Sequence, residues 1–171
     1  MIPRWSPDGN VVAYLTATDG GNALWRVNRD GTNARAVLGG VLYFDWFRDS
    51  RHIVFSSEGN AAAEIRALDL ETGEQTVLLK EPAIELAVSR APGEPTLLYT
   101  QAASHFGMNL FTLPLRASPN GMPRAVGTPR QLTNGRAEWH AHKGQWTPDG
   151  RTIIYTRDAD QGNLYTVENY K

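Results

Sequence analysis

One short stretch of the 171-residue chain concentrates side chains that can hold a metal ion. It reads Glu138-Trp139-His140-Ala141-His142. In an extended segment, residues two apart point to the same side, so Glu138, His140 and His142 would share a face. Two imidazoles and a carboxylate suit a divalent metal such as manganese or zinc. Loop histidines usually bond only backbone groups and solvent, so we expect no bound cofactor, and a divalent metal held by this segment is the alternative hypothesis.

Composition and missing motifs limit the other chemistry open to this chain. It contains no cysteine, which excludes disulfides and thiol chemistry. It has no Gly-x-Ser-x-Gly elbow, Walker loop or dinucleotide fingerprint, and Ser104-His105 is an adjacent pair whose side chains would face opposite sides of a strand. A net charge of −1 gives no basic field for nucleic acid, and no apolar run reaches membrane-spanning length. The sequence therefore favours a non-enzymatic protein.

The elements that must position the cluster form a repeat. Trp5–Gly9 reads Trp-Ser-Pro-Asp-Gly, returns as Trp146–Gly150 with Thr for Ser, and returns in altered form as Trp46–Ser50. Proline presets φ, aspartate bonds its own backbone and glycine accepts positive φ, so each copy predicts a strand, a tight turn and a second strand. Trp5 and Trp46 are 41 residues apart. A period near 40 with several short strands is typical of a β-propeller blade.

Four copies of the unit fill the chain as a single domain. Their approximate bounds are residues 2–38, 42–79, 84–133 and 138–171. The third copy is the most altered: its proline and glycine content predicts an exposed insertion over Arg116–Pro123, followed by a closing strand over Pro129–Thr133. The predicted fold is all-β, a propeller of four blades with four antiparallel strands each, the last blade lacking its outer strand.

The repeat resembles the TolB-type, WD40-like propeller repeats. The match is carried by Trp5–Gly9 with Leu24-Trp25 and by Trp146–Gly150 with Leu164-Tyr165. The resemblance implies a propeller that usually closes with six or seven blades, and it favours a periplasmic or extracellular location. The N-terminal residues show no signal peptide, which we interpret as a chain that starts inside a longer protein.

The number of copies predicts a partner. A blade packs its two apolar faces on its neighbours, so an arc of four blades exposes an apolar face at each end. We expect a second copy to cover these faces and form an eight-bladed ring with two-fold symmetry. The alternatives are a closed ring of four blades and a piece of a larger propeller whose property is assembly. No nucleic acid or membrane is expected as a partner.

Propeller geometry adds a third histidine to the cluster. The connection into a blade and the loop between its second and third strands share one face, so His105 in the loop Gln101–Met108 would lie with His140 and His142. His52 would lie on the opposite face. Trp139 has no counterpart in the other copies, unlike the tryptophans of the repeat, which we interpret as packing residues. We therefore predict a non-enzymatic binding or scaffolding platform, with Trp139 and His105 as ligand-contacting residues.

The His-x-His ahead of a Trp-x-Pro-Asp-Gly repeat also resembles the metal motif of oligogalacturonate lyases. Those propellers use a manganese-like ion in β-elimination from pectin fragments. The chain departs from that pattern at Ala137, where the family offers a glutamine ligand, in its four copies rather than seven, and in lacking an assignable basic residue. The alternative function is thus a metal-dependent lyase for acidic sugars. Asp158 and Asp160 would lie on the same rim and are weaker candidates for a cation.

Overall fold

The computed structural model describes residues 3–57, 64–102, 107–118, 121–135 and 139–159. These residues contain no α-helix; they form antiparallel sheets whose strands follow one another in chain order, apart from one added edge strand. The all-β prediction is confirmed. Among them, no helix has the length and apolarity that crossing a membrane requires.

The first two sheets each contain four strands in meander order. Sheet one consists of β1 (Arg4–Trp5), β2 (Val11–Thr18), β3 (Gly21–Asn28) and β4 (Arg35–Gly39). Sheet two consists of β5 (Val41–Trp46), β6 (His52–Ser57), β7 (Ile65–Asp69) and β8 (Gln75–Leu79).

The third sheet gains a strand, and the described part of the fourth has two. Sheet three consists of β9 (Ala83–Val88), β10 (Thr96–Ala102), β11 (Met108–Ser118), β12 (Gly121–Ala125) and β13 (Arg130–Gln131), the last paired with β11. Sheet four consists of β14 (His140–Trp146) and β15 (Ile153–Asp158).

The repeated tripeptide forms the turn that its sequence predicts. The Gly9 N–H donates to the Ser6 carbonyl at 2.9 Å, and the Gly150 N–H donates to the Thr147 carbonyl at 2.8 Å. Both glycines have positive φ, near 70°, which only glycine adopts without strain. In sheet two, Ser50 stands at the glycine position and takes φ 60°. The turn joins the first and second strands of its sheet.

Apolar side chains pack between successive sheets rather than around one centre. On β6, Ile53 and Phe55 belong to the cluster shared with sheet one, whereas Val54 belongs to the cluster shared with sheet three. Because side chains alternate along a strand, sheet two is buried on both faces. A smaller cluster, including Leu98 and Ala141, joins sheets three and four. This stacking of small sheets is what a propeller arc requires.

The prediction that the insertion Arg116–Pro123 in the third copy forms a loop is wrong. Most of Arg116–Pro123 is strand, because β11 runs to Ser118 and β12 begins at Gly121, with these two residues paired. Leu115 of β11 packs in the cluster shared with sheet two, and Met122 packs against it, which draws the hairpin onto the core. Pro123 stands opposite a register irregularity, where its missing N–H breaks no regular ladder bond.

The predicted closing strand is also too long. Of Pro129–Thr133, only Arg130 and Gln131 are strand, and they pair with Thr112 and Phe111 of β11. The Leu132 N–H still donates to the Leu110 carbonyl at 2.8 Å. The Thr133 hydroxyl then accepts the Leu110 N–H at 2.9 Å and donates to the Asn109 side chain, so a side chain replaces the ladder beyond Leu132.

Candidate functional site

The first strands of sheets two, three and four lie side by side, with β9 between β5 and β14. Near their carboxyl ends, the Val88 N–H donates to Asp45 Oδ2 at 2.8 Å. Nearer their amino ends, the Lys143 N–H donates to Glu85 Oε2 at 2.6 Å. Residues near the carboxyl ends of neighbouring strands therefore contact one another, and so do residues nearer the amino ends. The three strands run in the same direction. Polar side chains collect at both ends of this inner layer.

At one end, two histidines and an aspartate converge. We call His140, His142, Asp158 and Glu85 the histidine end. His140 Nε2 lies 3.7 Å and His142 Nε2 3.9 Å from Asp158 Oδ2, and the two imidazole centroids are 5.1 Å apart. One ligand atom from each of these three residues lies within 4.8 Å of the others. The antiparallel register pairs His140 with Asp158, which puts the three side chains on one face.

The geometry of this cluster suits a metal better than hydrogen bonds. His142 Nε2 is buried and has no hydrogen-bond partner among the described residues, a rare condition for a buried nitrogen. The separations of 3.7 and 3.9 Å are too long for hydrogen bonds. Ligands at about 2 Å around a tetrahedral zinc are about 3.3 Å apart, so an ion would need only a small inward movement of the side chains.

Glu85 supports the cluster from the neighbouring sheet. Its Oε1 lies 3.7 Å from His142 Nδ1, while its Oε2 accepts the Thr100 hydroxyl at 3.0 Å and the Lys143 N–H. Glu85 and Lys143 have φ of 55° and 54°, and each lies at a β-bulge where its strand's register shifts. Non-glycine residues at positive φ cost energy and concentrate at functional sites, as do bulges.

Part of the predicted site falls outside the described residues, namely Glu138, His105 and Asp160. His140 and His142 share a face, and Asp158 supplies a carboxylate beside them as a strand residue rather than a loop residue. Trp139 lies just before β14, with the Arg157 guanidinium 4.6 Å from its ring centroid.

Two residues show what the sequence does and does not reveal about this end. His52 lies away from the cluster, buried at the start of β6 with Nδ1 2.6 Å from Asp49 Oδ2. Sequence reasoning missed Glu85, although a single glutamate among the five apolar residues of β9 is a signal that could have drawn attention to it.

At the other end of the inner strands lies a cavity of about 310 Å³. We call Arg4, Asp45 and Arg90 the arginine end; Gln145 and Trp146 also line the cavity. Asp45 Oδ1 lies 3.3 Å from Arg90 Nη2 and 3.8 Å from Arg4 Nη1. Sequence reasoning missed this site completely.

A short part of the chain is similar in sequence to a known protein. No protein-family model matches the chain. A dipeptidyl-peptidase 5 from Porphyromonas endodontalis is 33% identical over 61 residues, which cover 34% of this chain and 9% of that protein. The chain thus spans about a tenth of the curated relative that it matches.

Solved structures match almost the whole chain. TolB from Acinetobacter baumannii gives a TM-score of 0.72 at 17% sequence identity, and the match covers 95% of this chain and 39% of that protein. A putative TolB from Agrobacterium tumefaciens gives a TM-score of 0.72 at 14% identity, and the match covers 92% of this chain and 54% of that protein. An oligogalacturonate lyase in complex with manganese gives a TM-score of 0.52 at 11% identity, and the match covers 92% of this chain and 58% of that protein. At these identities the likeness establishes fold alone. The chain has a TolB-like β-propeller fold, open and partial, and the predicted fold class is confirmed.

Proposed function

We propose that this chain is a non-enzymatic binding module, a partial propeller whose histidine end holds a divalent metal and through it contacts a protein or small ligand. The observation that carries the proposal is the convergence of His140, His142 and Asp158 within 4.8 Å, with a buried His142 nitrogen lacking a partner. A periplasmic or extracellular location, implied by the TolB-type repeats, is part of the proposal.

The donor set suits manganese or zinc and a binding role. Imidazole nitrogens and a carboxylate oxygen are ligands that both metals accept. Three protein ligands leave a coordination position open, which a carboxylate or hydroxyl of a partner can occupy. Glu85 then either supplies a fourth ligand or orients the His142 ring from 3.7 Å, as carboxylates beside metal-bound histidines commonly do.

Metal titration tests the proposal. The protein, stripped with a chelator and dialysed, is titrated with manganese or zinc chloride by calorimetry and melted with and without the metal. We expect one ion per chain and, at about 100 times Kd, a stabilisation of about 2.7 kcal/mol that raises the melting temperature by about 5 °C or more. The absence of both effects would contradict the proposal.

Matched variants locate the ion. Asp158→Asn, at an exposed carboxylate, should weaken binding at least about 10-fold with the fold intact, and His142→Ala should abolish it. Asp19→Asn, at another exposed carboxylate far along the chain, should leave binding unchanged. Equal losses in the Asp158 and Asp19 variants would place the ion elsewhere.

A second copy of the chain is the partner that we propose for ring completion. In the described part of sheet four, Ile154 is 65% exposed on the face opposite Ile153, which packs against sheet three, and in sheet one Trp5 is 53% exposed. Exposed apolar side chains at both ends of an arc favour further blades beside them. Light scattering should give twice the 18.9 kDa of the chain, and Ile154→Lys should reduce it to a single mass. A monomeric mass for the unaltered chain would contradict the proposal that a second copy completes the ring.

A metal-dependent lyase for acidic sugars is the second candidate, favoured by the same donor set. Lys143, which is exposed and follows His142 in the sequence, is the basic residue to test. Such a lyase needs a base to remove the proton next to the sugar carboxylate. Incubation of the metal-loaded protein with oligogalacturonate, followed by ultraviolet absorbance of the unsaturated product, separates the candidates. Turnover that disappears in Lys143→Gln would replace the binding proposal with this one.

A further inference from the structure

We propose that the arginine end is a separate binding site for a carboxylate-bearing ligand. Its cavity of about 310 Å³ lies where the inner strands end, away from the histidine end. That volume is at the lower limit of small-molecule pockets, so it accommodates an acidic side chain or a small organic acid rather than a large cofactor. The inference rests on this cavity alone and does not depend on metal binding.

The charges in the cavity leave an excess of one positive charge. Asp45 is buried, and its Oδ2 already accepts the Val88 N–H, which leaves Oδ1 for both guanidinium groups. Among the described residues, no other acidic side chain forms an ion pair with Arg4 or Arg90. Their side chains are 28% and 44% exposed, so N–H donors remain accessible from the cavity.

Trp146 provides a reporter for the cavity. It lines the cavity, and its indole N–H is buried without a hydrogen-bond partner among the described residues, so the nitrogen itself is not accessible to a ligand. A ligand in the cavity would still lie beside the Trp146 side chain and change the surroundings of this N–H. The cavity therefore offers hydrogen-bond donors from two arginines, with Trp146 next to them as a spectroscopic reporter.

A carboxylate matches these donors better than a phosphate does. Guanidinium groups bind carboxylates with two parallel hydrogen bonds, and a single negative charge balances the single excess positive charge. The Asp45 carboxylate beside the cavity would repel a doubly charged phosphate more strongly. The carboxylate can belong to a free organic acid or to an aspartate in a peptide, and the experiment distinguishes these two sources.

The Trp146 indole signal in a ¹H–¹⁵N correlation spectrum provides the measurement, assigned by its loss in Trp146→Phe. The protein is titrated with propionate, which carries one carboxylate, with a blocked Ala-Asp-Ala peptide and with the matching Ala-Asn-Ala peptide. We expect the signal to shift and saturate with a Kd of about 1 mM for propionate or for the aspartate peptide, and not to respond to the asparagine peptide. Response to propionate alone identifies a small acid, and a stronger response to the peptide identifies a peptide ligand.

Arginine variants test the assignment to this cavity. Arg90→Gln should weaken binding at least about 10-fold, and Arg4→Gln should weaken it to a similar degree, with unchanged circular dichroism. Arg116→Gln, at an exposed arginine beside Glu94, serves as the matched control and should leave binding unchanged. The proposal is overturned if the Trp146 signal does not move, if Arg90→Gln binds like the unaltered protein, or if inorganic phosphate binds more tightly than propionate.

Discussion

The histidine end and the arginine end are built on the same inner strands, yet they present opposite chemistry. The histidine end offers lone pairs from imidazoles and carboxylates, which suit a cation. The arginine end offers N–H donors and an excess positive charge, which suit an anion. Parallel alignment of the inner strands is what separates the two kinds of residue, because early positions of each strand collect at one end and late positions at the other.

The two ends also differ in how their backbone is stabilised. At the histidine end, Glu85 and Lys143 occupy positive φ in β-bulges, and the Glu85 carboxylate accepts the Lys143 N–H. At the arginine end, the strands finish in tight turns, with positive φ at Gly150 and Ser50. The histidine end therefore has backbone strain within its strands, whereas the arginine end has positive φ only in tight turns, which accommodate it.

The largest expected difference between the ends concerns their carboxylates. Asp45→Ala removes the acceptor of a buried Val88 N–H and the partner of two guanidiniums, and we expect it to lower the free energy of unfolding by about 3 kcal/mol. Glu85→Ala should cost about 2 kcal/mol, because the Lys143 N–H that it frees is exposed and can bond water, whereas the buried Thr100 hydroxyl loses its acceptor. Urea unfolding of both variants measures the two values.

The control for this comparison is Glu94→Ala, an exposed carboxylate whose loss should change stability by less than about 0.5 kcal/mol. If Asp45→Ala and Glu85→Ala cost the same, the ends do not differ as described. A Glu85 variant that loses more than the Asp45 variant would mean that the bulge depends on its carboxylate.

The fold was predictable because its determinants are local. The turns at Gly9 and Gly150 need residue types that can be recognised in four or five letters. The motif recurs after 41 residues between the first and second copies, and this period indicates the blades. The hairpin around Ser118 and Gly121 was not predictable from its proline and glycine content. Its strands form because Leu115 and Met122 find apolar partners on sheet two, which is a tertiary effect.

The residues of the candidate sites also differ in whether local sequence or tertiary packing brings them together. His140 and His142 are two residues apart on one strand, so their shared face follows from strand periodicity. Asp158 joins them only through the register of β14 with β15, and Glu85 only through the packing of two sheets. Arg4 and Asp45 are 41 residues apart, which is the repeat period, and Arg90 follows 45 residues after Asp45. The repeat therefore places them at one end of neighbouring inner strands, but spacing alone does not show that a cavity lies between them.

A smaller effect is expected from relieving strain at the histidine end. Lys143→Gly removes a Cβ from a positive-φ position and should stabilise the protein by about 0.5–1 kcal/mol. Lys143→Ala keeps the Cβ and should change stability by less than about 0.5 kcal/mol. Thermal and urea unfolding of both variants provide the measurement.

The corresponding change at the arginine end sharpens the comparison. Ser50→Gly also relieves a positive φ, but it removes the hydroxyl that accepts the Asp8 N–H at 3.0 Å, so we expect a net change near zero. Stabilisation by Ser50→Gly but not by Lys143→Gly would show that the strain lies in the turns and not in the bulge.

The smallest expected effect is the acid sensitivity of the turns that adjoin the arginine end. Burial raises the pKa of Asp49, but hydrogen bonds from the His52 side chain and from the His52 and Arg51 N–H groups outweigh it, so the pKa lies below its ordinary value. Hydrogen bonds from Ser6 and from Thr147 lower the pKa of Asp8 and Asp149 in the same way. A carboxylate with a lowered pKa in the folded state stabilises the protein above its ordinary pKa, and that contribution is lost as the pH falls through the lowered value.

Urea unfolding between about pH 5 and pH 2 measures this loss. Asp49→Asn should flatten the fall in stability below about pH 4 by no more than about 0.5 kcal/mol, because the Asp49 side chain is 41% exposed and solvent screens its interactions. Asp19→Asn, at an exposed aspartate outside the repeated turns, should leave the slope unchanged. A slope that is equally steep with and without Asp49 would mean that the turn carboxylates do not determine acid stability. The loss would then have to arise at other ion pairs, such as that of buried Asp69 with half-exposed Arg51, whose guanidinium also lowers the pKa of Asp69.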